Sequence, residues 1–508
     1  MSTAKRVIKN TGFLYAKMGI TMFISLYTTR LVLNALGASD FGIFNIVGGA
    51  IAMLGFLNAS MASATQRFMS YSEGEGNKEK QKKIFNISIV LHFLIGCVLG
   101  LVLLVIGYFF FNGILNIESS RMYAAKVVYS SLILSTIFTV MTVPYDAVIN
   151  ARENMFYYAI VGIIESMLKL SAALAIVYFG GDKLILYGIL MACIPLIIMT
   201  IMRVYCHRKY EECVLSPRKY WDKGLMKEMT SFAGWGFLTS SSGIVANYGQ
   251  GLIVNMFFGS IVNAAMGVAN QINGQLSVFS ANLIKAINPV IYKSEGAGNR
   301  EGLLRVSIIG SKLSFFLLAL LAIPFIIEMP AVLKFWLKNV PDYAVVFCQC
   351  QLLLSLLLQL FFLLSTTLAA QGKIAKASMI KSIIIISPIP LIYLFFKMNA
   401  APYWMYLIVA IVQILREMVN LYFVNKYCGL SYKTFIFSVL VRCMLVFILV
   451  FGFTFFIHLF IEDSLARFII VALSSTILLF FSIYFIGLNP EERYLFRNII
   501  NKKLLKRN

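Results

Sequence analysis

Charge is scarce in this chain. Only 13% of its 508 residues are Asp, Glu, Lys or Arg, about half the usual share for soluble domains. A soluble chain of this length folds as two or more domains whose surfaces need that charge, so a soluble multidomain protein is excluded. Histidine is rarer still: His92, His207 and His458 are far apart, and no zinc site or catalytic triad can be assembled from them. The eight cysteines have no metal-ligand spacing. The "CQC" at Cys348–Cys350 opens an apolar run and reads as small buried residues. No metal, no cofactor and no catalytic residue is expected. External loops are short too. The longest, between Glu328 and Asp342, is too small to build an active site outside the membrane. An enzyme is therefore not expected.

Apolar sequence is abundant: 60% of residues are hydrophobic and the mean hydropathy is +0.83. Runs such as "FLLALLAIPFII" and "LLLSLLLQLFFLLSTTLAA" suit a hydrocarbon core roughly 30 Å thick. Their backbone groups must bond within each segment, so the runs are read as helices. About fourteen such segments of about 20 residues are expected, giving an all-α polytopic membrane protein. The first, 11–33, has no small-residue cleavage site and is followed by further spans, so it is not a signal peptide.

The net charge of +22 raises the question of nucleic acid, but its placement argues against that partner. Arg121, Lys183, Lys334, Lys338, Lys397 and Arg467 fall at external ends. Lys17, Arg30, Lys126, Lys169, Lys285, Arg416 and Arg442 fall within spans. The other cations lie at cytoplasmic ends and loops, with both termini inside. The basic tail "NKKLLKRN" then sits against anionic membrane lipids.

A repeat organises the chain. "SEGEGNKE" at 72–79 returns as "SEGAGNRE" at 294–301, and "LVLN" at 31–34 returns as "LIVN" at 252–255. Six spans separate the copies. An even number keeps both octamers on one side, so the halves are parallel repeats. The expected organisation is a lobe of six spans (1–228), a second of six (229–430), and two extra spans with a basic tail (431–508). Each octamer is Gly-rich and charged, as suits a tight turn. Two parallel six-helix lobes are transporter geometry.

Polar residues inside spans mark pathways unless they snorkel. Lys17, Thr21, Ser25 and Thr28 share one helical face within about 80°; the stripe favours a wet lumen over a snorkelling lysine. Arg30 lies on the opposite face. In the eighth span Asn263, Asn270, Asn273, Ser277, Ser280, Lys285 and Asn288 fall within an arc of about 140°. Interhelical hydrogen bonding would account for part of it, but seven polar groups ending in a cation exceed what packing needs, so a lumen-lining cavity wall is favoured. Glu165 and Lys169 have the spacing of a charge pair on one helix. Arg416 and Glu417 are a candidate second pair, although adjacent residues do not face each other. Asp146, after Pro144, and Glu165 are the candidate coupling carboxylates. Arg67 reads as an interface anchor, and Asp40 as the cap of the second helix. Cations outnumber carboxylates within the spans, so an anionic cargo is favoured, with phosphate or pyrophosphate a good match for Lys and Arg.

"SLYTTRLVLNALGASDFGIFNIVGG", "SATQRF" and "NMFFGSIVNAAMGVANQINGQ" resemble the Wzx-type polysaccharide flippases. These belong to the multidrug/oligosaccharidyl-lipid/polysaccharide (MOP) superfamily, which also holds the MATE drug exporters. The resemblance runs over nearly the whole chain. It implies a MATE-like pair of six-helix lobes with two further helices, and alternating access through a cationic lumen. It implies a cargo of undecaprenyl-pyrophosphate-linked oligosaccharide, moved from the cytoplasmic to the periplasmic leaflet of a bacterial inner membrane for O-antigen or capsule assembly. A polysaccharide polymerase and a chain-length regulator would be further partners. Lys17, Arg30, Lys169 and Lys285 fit the family's cationic lumen by type and placement. A MATE-like cation-coupled drug exporter stays open as the alternative, and a membrane glycosyltransferase or polymerase as a remote one.

Overall fold

The computed structural model describes residues 3–52, 55–114, 117–337, 339–494 and 497. Lys338 and the basic tail, expected at the external face and against lipid, lie outside the described residues. The described residues are helical and hold no strand. Twelve stretches among them are long and apolar enough to cross a bilayer. The chain is a multi-pass membrane protein.

Two of the twelve are longer than one crossing. The helix α1 (Thr3–Ala52) has 50 residues. The helix Lys223–Gly296, here α7, has 74 and as a straight rod would extend about 110 Å. Each is broken at a glycine: Gly37 at φ 77°, ψ 169° and Gly259 at φ 78°, ψ −176°. That region of backbone space belongs almost wholly to glycine. The two glycines are 222 positions apart, the same offset as the octamers, so the halves repeat in backbone conformation as well as sequence. The second crossing begins after Gly37 and continues into α2 (Gly55–Glu75). Its polar run "NASMASATQR" keeps α2 out of the twelve, so twelve apolar stretches and about fourteen crossings are compatible.

The octamers are helix junctions. The helix α2 ends in the first, Gly76 takes φ +69°, and the Asn77 side chain caps α3 (Lys78–Phe109) by accepting from Lys80 N at 2.9 Å. In the second, Gly298 takes φ +70° and Asn299 caps α8 (Arg300–Ile327), accepting from Gly302 N at 2.8 Å. A left-handed glycine closing one helix and an Asn opening the next is what "GN" in each copy supplies.

By packing, the described residues form two compact units, one of Arg6–Phe237 with Tyr292–Gly298, the other of 3–5, Leu238–Ile291 and 299–494. The division falls after Phe237, beyond the Glu228 drawn from the spans. The start of α7 packs on α2, with the Phe232 and Phe68 rings 5.9 Å apart, edge to face.

In the first unit α4 (Met122–Ala151) is central, packed on α2, α3 and α6 (Lys183–Lys209). Its Val128 and Tyr129 join Val47, Leu103 and Leu184 in a buried core. At the end expected to be external Arg121 donates from Nε to Asp40 at 2.8 Å and from Nη1 to Asp182 at 2.8 Å. Asp182 also caps α6 through the Leu184 and Ile185 amides. Asp40 thus serves the Arg121 pair, and no helix-cap bond from it is present among the described residues. At the opposite end Arg152 bonds Glu212 and Glu73, at 2.8 and 2.9 Å. The Glu212 bonds outweigh burial and raise the Arg152 guanidinium above its ordinary value. Arg67 is no interface anchor: it is 7% exposed, its guanidinium 4.5 Å from the Phe68 ring and 4.7 Å from that of Tyr71.

In the second unit α8 is the buried spine, with Phe315, Leu318, Ala319 and Ile323 in the core. Lys312, midway along it, is buried, bonds the Gly487 carbonyl at 3.2 Å and pairs with Glu492. Arg442, opening α16 (Arg442–Leu459), donates to the Ile486 and Leu488 carbonyls at 2.9 and 3.1 Å. The end of the last crossing, built on α17 (Leu465–Ser482), is thereby held by two cations on its free carbonyls.

Candidate functional site

Four helices of the first unit enclose a cavity of about 130 Å³. Lys17 enters it from α1, and Thr139, Thr142 and Asp146 from α4. The helix α5 (Met155–Tyr178) contributes Tyr158, Val161, Gly162 and Glu165, and α6 contributes Pro195, Ile198 and Met202. The Lys17 side chain crosses α5 directly over Gly162. A Cβ there would stand 2.1 Å from Lys17 Cε and 2.5 Å from Nζ. The ammonium lies 4.4 Å from the Tyr158 ring centre, a cation–π contact. One turn farther along, Lys169 Nζ donates to Glu165 Oε1 at 2.6 Å, the charge pair expected from their spacing.

Three expected site residues, Lys17, Asp146 and Glu165, therefore meet at one cavity, and Lys169 adjoins it through Glu165. The group is balanced in sign, two cations and two carboxylates, where a cationic excess was expected. Glu165 largely neutralises Lys169, which leaves Lys17 as the cation best placed to meet a ligand. Tyr158 and Gly162 were not singled out in the sequence. Their signal was there: positions 158, 162, 165 and 169 step by four, three and four, one face of a helix.

The rest of the first stripe is dispersed. Thr21 Oγ1 bonds back to the Met18 carbonyl at 3.2 Å. Ser25 and Arg30 are exposed on the unit, and Thr28 is buried, its Oγ1 without a hydrogen-bond partner among the described residues. The eighth-span arc, in the second unit, splits in two. Ser280 donates to the Ser314 carbonyl at 3.3 Å, and Asn288 accepts from Thr366 at 3.2 Å, so both serve helix packing. Asn270 is exposed, and Asn263, Asn273, Ser277 and Lys285 are half-buried. Arg416 and Glu417 do pair: Nε reaches Oε1 at 2.8 Å, and Asn420 donates to the other oxygen at 2.7 Å. Long side chains close the angle that adjacent Cα–Cβ bonds leave open. Among the described residues no group of three or more His, Cys, Asp or Glu has the arrangement of a metal site.

The family model MatE matches residues 16–174, which span α1 to α5 and every α1, α4 and α5 residue of the cavity. Among solved structures, the outward-facing form of a multidrug-resistance MATE family transporter of the MOP superfamily superposes with a TM-score of 0.73. The fold is that of the MATE transporters. That match has 14% identity and covers 84% of this chain and 96% of the other. A MOP superfamily transporter from Pyrococcus furiosus, described as having a binding pocket of reverse polarity that suggests a different function, matches with a TM-score of 0.71, 14% identity, 84% of this chain and 97% of its own. A MATE transporter in complex with MaD3S matches at 0.71, with 14% identity over 84% of this chain and 96% of that one. No protein of curated function matches the chain. The MATE fold accounts for the two six-helix halves.

Proposed function

We propose that this chain is a flippase that carries an undecaprenyl-pyrophosphate-linked oligosaccharide from the cytoplasmic to the periplasmic leaflet of a bacterial inner membrane. It would serve O-antigen, capsule or related polysaccharide assembly beside a polymerase and a chain-length regulator. The observation that carries this reading is Lys17: a cation of the first crossing, over an aromatic ring, in a cavity whose α1, α4 and α5 residues lie within the MatE match. About 130 Å³ admits a phosphate-sized head and excludes a sugar chain, so the cavity would take only the charged end of the cargo. Moving that head through lipid unaided carries a prohibitive desolvation cost, which a charge-assisted bond to the ammonium offsets. No bond of the cargo is made or broken. The protein acts by alternating access, and Asp146 and Glu165 are the candidate groups for coupling to an ion. The polarity reversal described for the Pyrococcus furiosus transporter supports the idea that this fold accepts cargo of either sign.

A second reading, a MATE-like cation-coupled drug exporter, is favoured by Asp146 and Glu165 lining the same cavity. Proteoliposomes containing a prenyl-pyrophosphate oligosaccharide separate the two. Protein-dependent transfer between leaflets, slowed by Lys17→Ala and Lys285→Ala, supports the flippase. Efflux of a cationic dye without transfer of the anionic lipid overturns it in favour of the exporter.

A further inference from the structure

A second concavity of the first unit, about 620 Å³, lies on the cytoplasmic part of α5 and α6, by the sidedness that the Lys and Arg distribution assigns. It is lined by Tyr157, Thr200, Ile201, Val204, Tyr205, Arg208 and Lys209, none of which lines the Lys17 cavity. Its composition changes along its length. Toward the membrane interior Thr200, Ile201 and Val204 offer an apolar floor, since the Thr200 hydroxyl is turned back to the Leu196 carbonyl at 2.8 Å. At the interface the Tyr157 and Tyr205 rings stack 3.5 Å apart and nearly parallel, at 7°. At the aqueous rim stand Arg208 and Lys209, both exposed.

The rim is built. Asn154 donates to both the Tyr205 and Tyr210 hydroxyls, at 2.8 and 2.9 Å. Lys209 Nζ donates to the Tyr205 hydroxyl at 2.6 Å and lies 5.0 Å from its ring. The lysine is thus folded over the aromatic stack instead of extending into water. Arg208 forms no ion pair among the described residues, although the loop beyond it holds Glu211 and Glu212. Those carboxylates pair elsewhere, Glu211 with Lys78 and Glu212 with Arg152.

We propose that this groove binds an anionic phospholipid of the cytoplasmic leaflet, its phosphate at Arg208 and Lys209, its glycerol region over the Tyr157–Tyr205 stack and an acyl chain along Thr200, Ile201 and Val204. The order of chemistry, two cations, an aromatic girdle and an apolar floor, reproduces the order of such a lipid from head to tail. A soluble anion would use the rim and leave the floor wet.

The test uses the whole purified chain in neutral detergent, titrated with phosphatidylglycerol, phosphatidylcholine or inorganic phosphate. Bound lipid is counted by native mass spectrometry and melting is followed in parallel. Phosphatidylglycerol is expected to bind and to raise the melting temperature, with phosphatidylcholine and phosphate much weaker. Arg208→Gln with Lys209→Gln should weaken that binding on the order of thirtyfold, from about 1 kcal/mol per interfacial cation. Val204→Trp fills the floor, keeps both charges, and should also lose the lipid. Arg218→Gln with Lys219→Gln, an exposed basic pair in the following loop, should leave it unchanged. Equal binding of the two phospholipids, or equal loss in the Arg218/Lys219 variant, overturns the site. Retention of lipid by Val204→Trp, with loss in the charge variant alone, overturns the acyl floor and reduces the site to a phosphate contact.

Discussion

The Lys293 carbonyl oxygen stands 2.1 Å from the point a Cβ would occupy on Gly74, and the Tyr71 carbonyl oxygen stands 2.0 Å from the same point on Gly296. The contact is reciprocal. Tyr71 and Gly74 in the first octamer's helix end correspond, at the 222-residue offset, to Lys293 and Gly296 in the second. Two helix ends cross at their third octamer residue so closely that no side chain fits on either. This is why a chain poor in charge and polar sequence writes the octamer twice. In each copy the first glycine permits the crossing, the second turns the chain with positive φ, and the Asn starts the next helix. The ion pair of Lys293 with Glu153, at 2.9 Å, closes over the same place.

Alanine at either crossing glycine must push two backbones apart. Gly74→Ala and Gly296→Ala are each expected to cost about 1–3 kcal/mol, the range for overpacking. The effect would appear as a lower melting temperature in detergent. Gly267, with nothing within 4 Å of its would-be Cβ, is the comparison. Its alanine variant should melt with wild type or slightly above, since alanine is the better helix former. Equal melting of all three would show that the crossing is looser than described.

The break glycines make a separate prediction because their constraint is conformational and not steric. Nothing lies within 4 Å of either would-be Cβ, yet both backbones sit in glycine's own region. Gly37→Ala and Gly259→Ala should each destabilise by about 1–3 kcal/mol. The sites lie in different units, so the double variant should show the sum of the two losses. Denaturant titration of the four proteins checks this; a double variant no worse than either single one would refute independence.

Much of this fold was legible from apolar run length and the octamer repeat, both of which depend on sequence order alone. The repeat also fixed where corresponding elements would lie, and Gly37 and Gly259 obey it. What stayed hidden depended on partners distant in sequence. Arg67 looked like an anchor because its aromatic surroundings come partly from Phe232, and Lys312 passed unnoticed because Glu492 follows it by 180 residues. The Glu165–Lys169 pair was readable because both ends sit on one helix. The carboxylates at the cavity stayed hidden for the complementary reason: charges counted along the chain did not say which of them the fold would bring beside Lys17.

The Arg121–Asp40–Asp182 cluster predicts a pH dependence with a definite sign. Burial alone would raise the Asp182 carboxyl, but the Arg121 hydrogen bond and the Ile185 and Leu184 amides outweigh it, and the net shift is downward. A carboxylate depressed in the folded state contributes stability above its unfolded value, about 3.9. That contribution is lost as pH falls through the lower folded value. Wild type should therefore lose melting temperature below about pH 4. Arg121→Met, lower at neutral pH, should lose less over the same interval. Parallel curves for the two proteins would show that Asp182 does not depend on Arg121.

The sharpest discrimination between an anionic and a cationic cargo comes from Glu165. Its carboxylate, at the cavity, holds Lys169 at 2.6 Å. Glu165→Gln keeps the shape and a hydrogen-bond acceptor while releasing a positive charge beside Lys17. For an anionic head the freed ammonium adds an attractive group. The concentration giving half-maximal transfer of prenyl-pyrophosphate oligosaccharide should fall, by up to about tenfold if a charge-assisted bond near 1.5 kcal/mol forms. For a cationic cargo the same change removes an attractive group and adds a repulsive one, so the half-maximal concentration should rise. Lys17→Met moves each quantity the opposite way, since it removes positive charge without touching Glu165. Measuring both variants with the anionic lipid yields two signs, and the flippase reading requires both; the two opposite signs with a cationic dye would support the exporter. A Glu165→Gln variant that weakens transfer of the anionic lipid while Lys17→Met leaves it unchanged would move the anion's binding place away from this cavity.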